Sequence, residues 1–196
     1  MPSPIIHTTM GYVVYRIFHP EPSEANPRKL GQMPILLIFS IVFSLLPDVD
    51  SLFGILAGDF GRYHNNATHS LIVGLLVALS VGGIAGLIRT HAFRVIFLVT
   101  LFSYAAHISL DFFTIGRGVM ALWPLSQERF GSPLPLFYGL HWSDGLFSIR
   151  HIWTFLTESA TAALFVLATH YLILRKWGIP IHGGEAEKVI RSSKEC

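Results

Sequence analysis

The residues best suited to chemistry are histidines and aspartates at short, recurring spacings. His107-Ile-Ser-Leu-Asp111 is an i, i+4 pair. On a helix both side chains leave one face about one turn apart, so an imidazole and a carboxylate can grip one cation together. Asp48-Val-Asp50 follows Pro47 and offers two carboxylates that can share an ion or serve one ion each. Thr68-His69-Ser70 opens an apolar run, with Thr68 as its expected N-cap and His69 in the first turn. His64 lies one loop earlier, and His7 lies near the start of the chain. The single cysteine, Cys196, excludes a cysteine-based zinc site. A metal here must be held by His and carboxylates, a donor set that suits zinc, manganese or iron better than calcium.

Taken singly, each motif has a plainer reading. A lone His in an apolar helix packs and hydrogen-bonds, His-x-x-x-Asp forms an ion pair, and Asp-x-Asp caps a helix end. Convergence decides between these readings, and convergence depends on the elements that carry the motifs.

Those elements read as membrane helices. The 196 residues are 52% hydrophobic and only 13% charged, with a mean hydropathy of +0.53. A soluble domain carries about 25% charged residues, so the composition argues against an ordinary cytosolic globule, and a disordered chain is excluded. The net charge of +2 is mild, and no basic tract is long enough to engage nucleic acid. Four apolar segments stand out: Leu30 to Leu46, Leu71 to Ile88, Val95 to Leu110 and Ile152 to Leu174. Each is near the length of about 20 residues that a spanning helix needs. A fifth, Ile5 to Phe18, is shorter and semi-apolar; it either spans or lies in the interface. The start has no basic region or cleavage site and is not a signal peptide. The expected fold is an all-α, polytopic membrane bundle of four long helices plus a short N-terminal helix. It forms one membrane-embedded domain over 1–180, with a polar, mobile tail over 181–196. Gly82 and Gly86 form a GxxxG pair in the second long segment, read as close helix packing.

Basic residues orient the bundle. Arg28 and Lys29, Arg89 and Arg94, and Arg175 and Lys176 fall on one side of an up-and-down arrangement. The positive-inside rule makes that side cytoplasmic. All five aspartates fall toward the other side, with His7 (if its helix spans), His64, His69, His107, His141 and His151. Ionisable groups at membrane helix ends must be paired, solvated or metal-bound. Asp48, Asp50, His64, His69, His107 and Asp111 exceed what one four-coordinate zinc needs. Two divalent ions, zinc before manganese or iron, are therefore expected.

The run Leu46-Pro47-Asp48-Val49-Asp50, then Thr68-His69-Ser70, His107-x-x-x-Asp111-x-x-Thr114 and Trp123-Pro124-Leu125, resembles the YdjM-like family of inner-membrane proteins. His7-Thr8 with Gly11 is similar to that family's N-terminal His motif, and the likeness covers about residues 4 to 160. It implies a metal-dependent hydrolase of the bacterial or archaeal inner membrane. A more distant likeness is to zinc-dependent phospholipases C and related nucleases. Their ligand order is similar to His7, Asp48 or Asp50, His69, His107 and Asp111. This chain lacks their N-terminal Trp and a later His-x-x-x-Glu, which leaves His141, His151 and Glu158 as loose candidates.

The resulting expectation is a phosphoesterase-like hydrolase whose site faces the extracytoplasmic side at headgroup depth. Its substrate is a phosphoester of a lipid or another membrane-proximal molecule. The expected metal ligands are His7, Asp48, Asp50, His64, His69, His107 and Asp111. Asp50, with Asp48, is the candidate for orienting or deprotonating the attacking water. Arg62 and Arg117 are candidates to hold an anionic headgroup. Thr68, Thr114 and Glu158 are expected to support the ligands. A metal or proton transporter is the alternative, as is a non-catalytic membrane protein with a structural metal. Transporters favour repeats and midplane sites, and neither is visible in the sequence.

Overall fold

Helix boundaries in this chain fall where charge or capping chemistry interrupts an apolar run. The computed structural model describes residues 2–18, 33–58, 63–140, 148–149 and 151–176. Six α-helices follow in order: α1 (Pro4–Phe18), α2 (Met33–Leu45), α3 (Val49–Leu56), α4 (Leu71–Ile88), α5 (Ala92–Phe112) and α6 (His151–Lys176). Four helical stretches are long and apolar enough to cross a membrane: Ile35–Leu56, Leu71–Ile88, Ala92–Phe112 and His151–Ile173. With α1 as the short N-terminal helix, this is the expected architecture. The tail over 181–196 lies outside the described residues.

Two local expectations are corrected. The first apolar segment does not end at Leu46. A 3-10 turn over Leu46–Asp48 carries the helical path into α3. Pro47 sits at the start of that turn, where its missing N–H has no bond to lose. Asp48 and Asp50 are therefore helical. The second correction concerns the cap of α4. Ser70, not Thr68, is its N-cap: Ser70 Oγ accepts from the N–H groups of Ile72 and Val73. Thr68 lies one 3-10 turn earlier, over Ala67–His69, and its hydroxyl has another task described below.

Without water between them, membrane helices associate by close packing, and small residues permit it. A Cβ at Gly82 would stand 2.9 Å from Phe97 Cβ, and one at Gly86 3.1 Å from Phe93 Cβ. The GxxxG pair thus seats α4 on α5 within the chain. Gly11 brings α1 onto α2; a Cβ there would lie 2.8 Å from Ile41 Cα and 3.0 Å from the Ser40 carbonyl. Gly58 ends α3 at φ +70°, a left-handed stop that favours glycine.

The connection after α5 is long but ordered across 113–140. Paired bridges between Thr114 and Phe137 and between Val119 and Phe130 fold it back over the ends of α4 and α5. Ile6, Leu110, Phe137 and Ala162 pack together, tying α1, α5, the connection and α6. Tyr104, Ile108 and Val119 form a second cluster toward α4. The site-bearing ends are consequently gathered at one end of the bundle. The tight turn from Arg89 to His91 lies at the other, where α4 meets α5.

The Gly11 contact is with backbone, which cannot step aside. Gly11→Ala should destabilise the protein by about 1–3 kcal/mol, read as a lowered midpoint of thermal unfolding in detergent. Gly83→Ala, whose Cβ meets nothing within 4 Å, should match or exceed the parent. Equal melting of parent and Gly11→Ala would contradict the α1–α2 packing.

Candidate metal centre

His107 is placed on α5 with Asp111 one turn further on, both fully or almost fully buried. His107 Nδ1 lies 2.7 Å from the Ser44 carbonyl. A carbonyl only accepts, so Nδ1 carries a proton, and in the neutral ring Nε2 is the nitrogen that presents its lone pair. His69, in the 3-10 turn before α4, is fixed in the same sense. Its Nδ1 lies 3.2 Å from Asp50 Oδ2, and the Thr68 hydroxyl donates to that same oxygen at 2.6 Å. His69 Nε2 is thereby turned toward His107 Nε2, 3.1 Å away. It also lies 2.9 Å from Asp111 Oδ2 and 3.5 Å from Asp48 Oδ1. Asp48 Oδ1 is 3.5 Å from His107 Nε2, and Asp111 Oδ2 is 3.4 Å from it.

Four ligand atoms therefore converge: Asp48 Oδ1, His69 Nε2, His107 Nε2 and one oxygen of Asp111, all within 4.8 Å of one another. Each imidazole has its other nitrogen held by a fixed acceptor, the arrangement that orients metal-binding histidines. The 3-10 turn at Pro47 lets both aspartates take part. Asp48 stands on the Nε2 side of His69 and Asp50 on its Nδ1 side. Asp50 Oδ1 also meets His64 Nδ1 at 3.1 Å, so Asp50, His64 and His69 make a second gathering of donors.

His7 completes the group from α1. Its ring stacks on His107, with centroids 3.8 Å apart and planes at 17°. Its Nε2 faces Asp111 Oδ1 at 3.9 Å. Neither nitrogen of His7 has a hydrogen-bond partner, nor does Asp48 Oδ1 or either Asp111 oxygen. Buried polar atoms are almost always satisfied, and exceptions call for an ion or a water. The ion-pair partners of Asp48, Asp50 and Asp111 among the described residues are histidines. Three carboxylates, convergent imidazoles and orphaned oxygens fit a divalent cation, which would take the place of the imidazole protons. Asp48 is the most open member, with 15% of its side chain exposed.

The supporting candidates resolve differently. Thr68 holds Asp50, as above. The Thr114 hydroxyl donates to the Leu110 carbonyl at 2.7 Å, closing the end of α5 rather than touching the Asp111 carboxylate. Glu158 is buried on α6 and accepts from the Ser3 N–H at 2.7 Å. Arg117 donates to the His64 carbonyl. His151 opens α6 and is buried. Arg62 and His141 lie outside the described residues.

Other participants carry no signal in the sequence. Ser44 serves twice, its hydroxyl donating to the His7 carbonyl at 2.5 Å and its own carbonyl holding His107. Tyr104 donates to the Thr68 carbonyl at 2.5 Å. Arg129 donates to the carbonyls of Asn65 and Gly118 and to the Asn66 side chain, pinning the loop that carries His64. Ser70 donates to the Trp123 carbonyl at 2.6 Å, which ties the Trp123-Pro124-Leu125 run to the start of α4. Only a polar residue buried at a contact between distant segments would betray such roles, and burial is not written in the chain.

Burial alone would push the His69 imidazole below its ordinary value, but the close carboxylates of Asp111, Asp48 and Asp50 outweigh it and hold the group well above 6.5. In the ion-free protein that contribution to stability is full below about 6.5 and is lost as pH rises through the raised value. A cation must displace the same proton, so its affinity should climb with pH over that window. Titration of purified protein with zinc at stepped pH checks this; a flat profile would contradict it. His107→Ala and Asp111→Ala should each lose bound metal by elemental analysis. His170→Ala should keep it, because His170 pairs with Tyr12 well away from the cluster.

Comparison with known proteins agrees with this architecture. The family described as "YdjM inner membrane protein" matches residues 1–179. "Inner membrane protein YbcI" of Escherichia coli (strain K12) is 40% identical over 111 residues, covering 51% of this chain. The match spans 60% of that relative's own length. No solved structure shows a significant match. A family match across nearly the whole chain, joined to four membrane-length helices, places this protein in the YdjM family of inner membrane proteins.

Proposed function

We propose that this chain is a membrane-bound, metal-dependent hydrolase of phosphoester bonds, acting on a lipid or another membrane-proximal substrate at the extracytoplasmic face. The observation that carries the proposal is the convergence of His69 Nε2 and His107 Nε2 on Asp48 and Asp111, with both Nδ1 atoms already held. Asp48, His69, His107 and Asp111 would hold a first ion. His7 Nε2 and Asp111 Oδ1 form a second donor pair, so Asp111 would serve two ions. Divalent ions supply Lewis-acid polarisation of a phosphoryl group and lower the pKa of a water.

The chain's own residues do the rest. Asp50 accepts from the Thr68 hydroxyl through one oxygen, which also lies 3.2 Å from His69 Nδ1, and meets His64 through the other. It thus holds the His69 tautomer and raises the basicity of its Nε2. Asp48 lies at the open edge, where a substrate phosphoryl group would arrive. Packing of His7, His69, His107 and Asp111 keeps bulk water from the rest of the cluster. A transporter would need a path through the membrane. Here the ionisable cluster lies at one end of the bundle, and α4 and α5 close on each other through Gly82 and Phe97 below it.

Turnover of a phosphodiester in detergent or vesicles, against added metal, tests the reading. Asp48→Asn should lose both bound metal and activity. Asp50→Asn should weaken metal affinity about 10- to 100-fold and regain activity at high metal. If Asp50→Asn keeps its metal and stays inactive, Asp50 acts on the water itself. If the loaded parent hydrolyses nothing while vesicles take up metal, the hydrolase reading is lost to the transporter.

Sidedness is tested separately in intact cells, in a Cys196→Ser background. An impermeant thiol reagent should label Tyr63→Cys, beside the cluster, and leave His91→Cys unlabelled. The reverse pattern would put the site on the cytoplasmic face.

A further inference from the structure

The N-terminal end of α1 has no side-chain cap of its own. Pro4 is the first helical residue, a position where its missing N–H is harmless. Ser3 stands where an N-cap would, yet its hydroxyl has no hydrogen-bond partner although it is buried. In a capping box, an acidic residue three positions into the helix reaches back to the N-cap N–H. That position here is Ile6, which instead packs in the core. The Ser3 N–H is taken by Glu158 Oε2 at 2.7 Å, from α6, 155 positions along the chain.

We propose that Glu158 is a positioning residue: it completes the missing capping box of α1 and thereby seats His7 against His107 and Asp111. Ser3 immediately precedes α1, and His7 lies at the end of its first turn. Thr154, Glu158 and Ala162 are spaced by four on α6, and all are buried. Ala162 meets Ile6 and Leu110, the neighbours in sequence of His7 and Asp111. The capping bond therefore lies one turn from an apolar contact that fixes α1 against both α5 and α6. Losing it frees α1 to rotate or slide, and the 3.9 Å approach of His7 Nε2 to Asp111 Oδ1 goes with it. The Glu158 carboxylate acts as an acceptor. Its charge is not the operative feature, and it touches no reacting atom.

Because His7 serves as a ligand in the function proposed above, two readouts separate the cap from the metal. The first needs no metal: hydrogen exchange of the amides of residues 5–9 in the full-length protein. Glu158→Ala should speed that exchange about tenfold while α4 and α5 stay protected. Ser3→Pro, which removes the donor and leaves the carboxylate, should do the same. Ser3→Ala, which keeps the N–H, should not. Glu158→Gln retains an acceptor oxygen and should restore protection. The second readout is zinc content under saturating zinc. It should fall from about two ions per chain to about one in Glu158→Ala and Ser3→Pro, and remain at about two in Glu158→Gln and Ser3→Ala. A Glu158→Ala protein with unchanged exchange and full zinc overturns the inference and leaves the metal centre standing. Loss of zinc in Glu158→Gln with α1 still protected also overturns it, since Glu158 would then act by its charge. A parent that binds no zinc removes the metal centre, and the exchange experiment still decides whether Glu158 caps α1.

Discussion

A carboxylate in the interior of a membrane helix bundle demands a cation, because desolvating it alone is far more costly than the packing around it can offset. This chain places Asp48, Asp50 and Asp111 together where helices α2, α3, α4 and α5 end or begin. Their ion-pair partners among the described residues are imidazoles, which are only conditionally charged. Most of the remaining architecture follows from meeting that demand. Each helix that reaches the cluster brings a donor or an acceptor. His69 and His107 are each held at Nδ1 so that Nε2 faces inward. The connection over 113–140 folds back to hold the loop carrying His64 and the start of α4. Toward the opposite end, Gly82 and Gly86 of α4 pack on Phe97 and Phe93 of α5.

The arrangement separates two kinds of work that the motifs alone leave merged. Asp48 and Asp111 point oxygens at the convergence point with no hydrogen bond to occupy them. Asp50 is engaged on both oxygens. Two aspartates one residue apart thus divide into one that faces the convergence point and one that holds a histidine. That division rests on the 3-10 turn at Pro47. In a straight α-helix, residues two apart point about 200° from each other, and a single cluster would reach only one of them. Here His69 lies between the two carboxylates, and each uses a different ring nitrogen.

What could be read from the chain and what could not divides along the same physical line. The His107–Asp111 pair is visible because helical spacing alone puts its members together, and the spanning helices are visible because apolar length alone defines them. His7, His64 and His69 are visible as residue types, but only topology gathers them. Thr68 and Ser70 are both good caps, and propensity cannot rank them. Ser70 takes the cap because Asp50 claims the Thr68 hydroxyl, a contact between residues 18 positions apart. The Ser44 carbonyl that fixes His107 is silent in any sequence, since every residue has a carbonyl. Glu158 stands out as an acidic residue in an apolar helix, but its partner is a backbone N–H at the far end of the chain.

The near-complete enclosure of the cluster bears on the order in which the protein can be assembled. His7, His69 and His107 are wholly shielded, and only the edge at Asp48 is partly open. An ion meeting the finished bundle would have to shed its hydration shell at that one edge. An ion meeting an earlier state, with α1 not yet laid against α2 and α5, would find Asp111 and His107 open along the whole face that His7 later covers. Docking of α1 would then act as the closing step of loading. The rate at which the ion is gained or released would be set by helix motion instead of ligand strength. A centre built in this way would retain a bound ion through brief scarcity and exchange it on the timescale of partial unfolding, largely independent of free ion concentration.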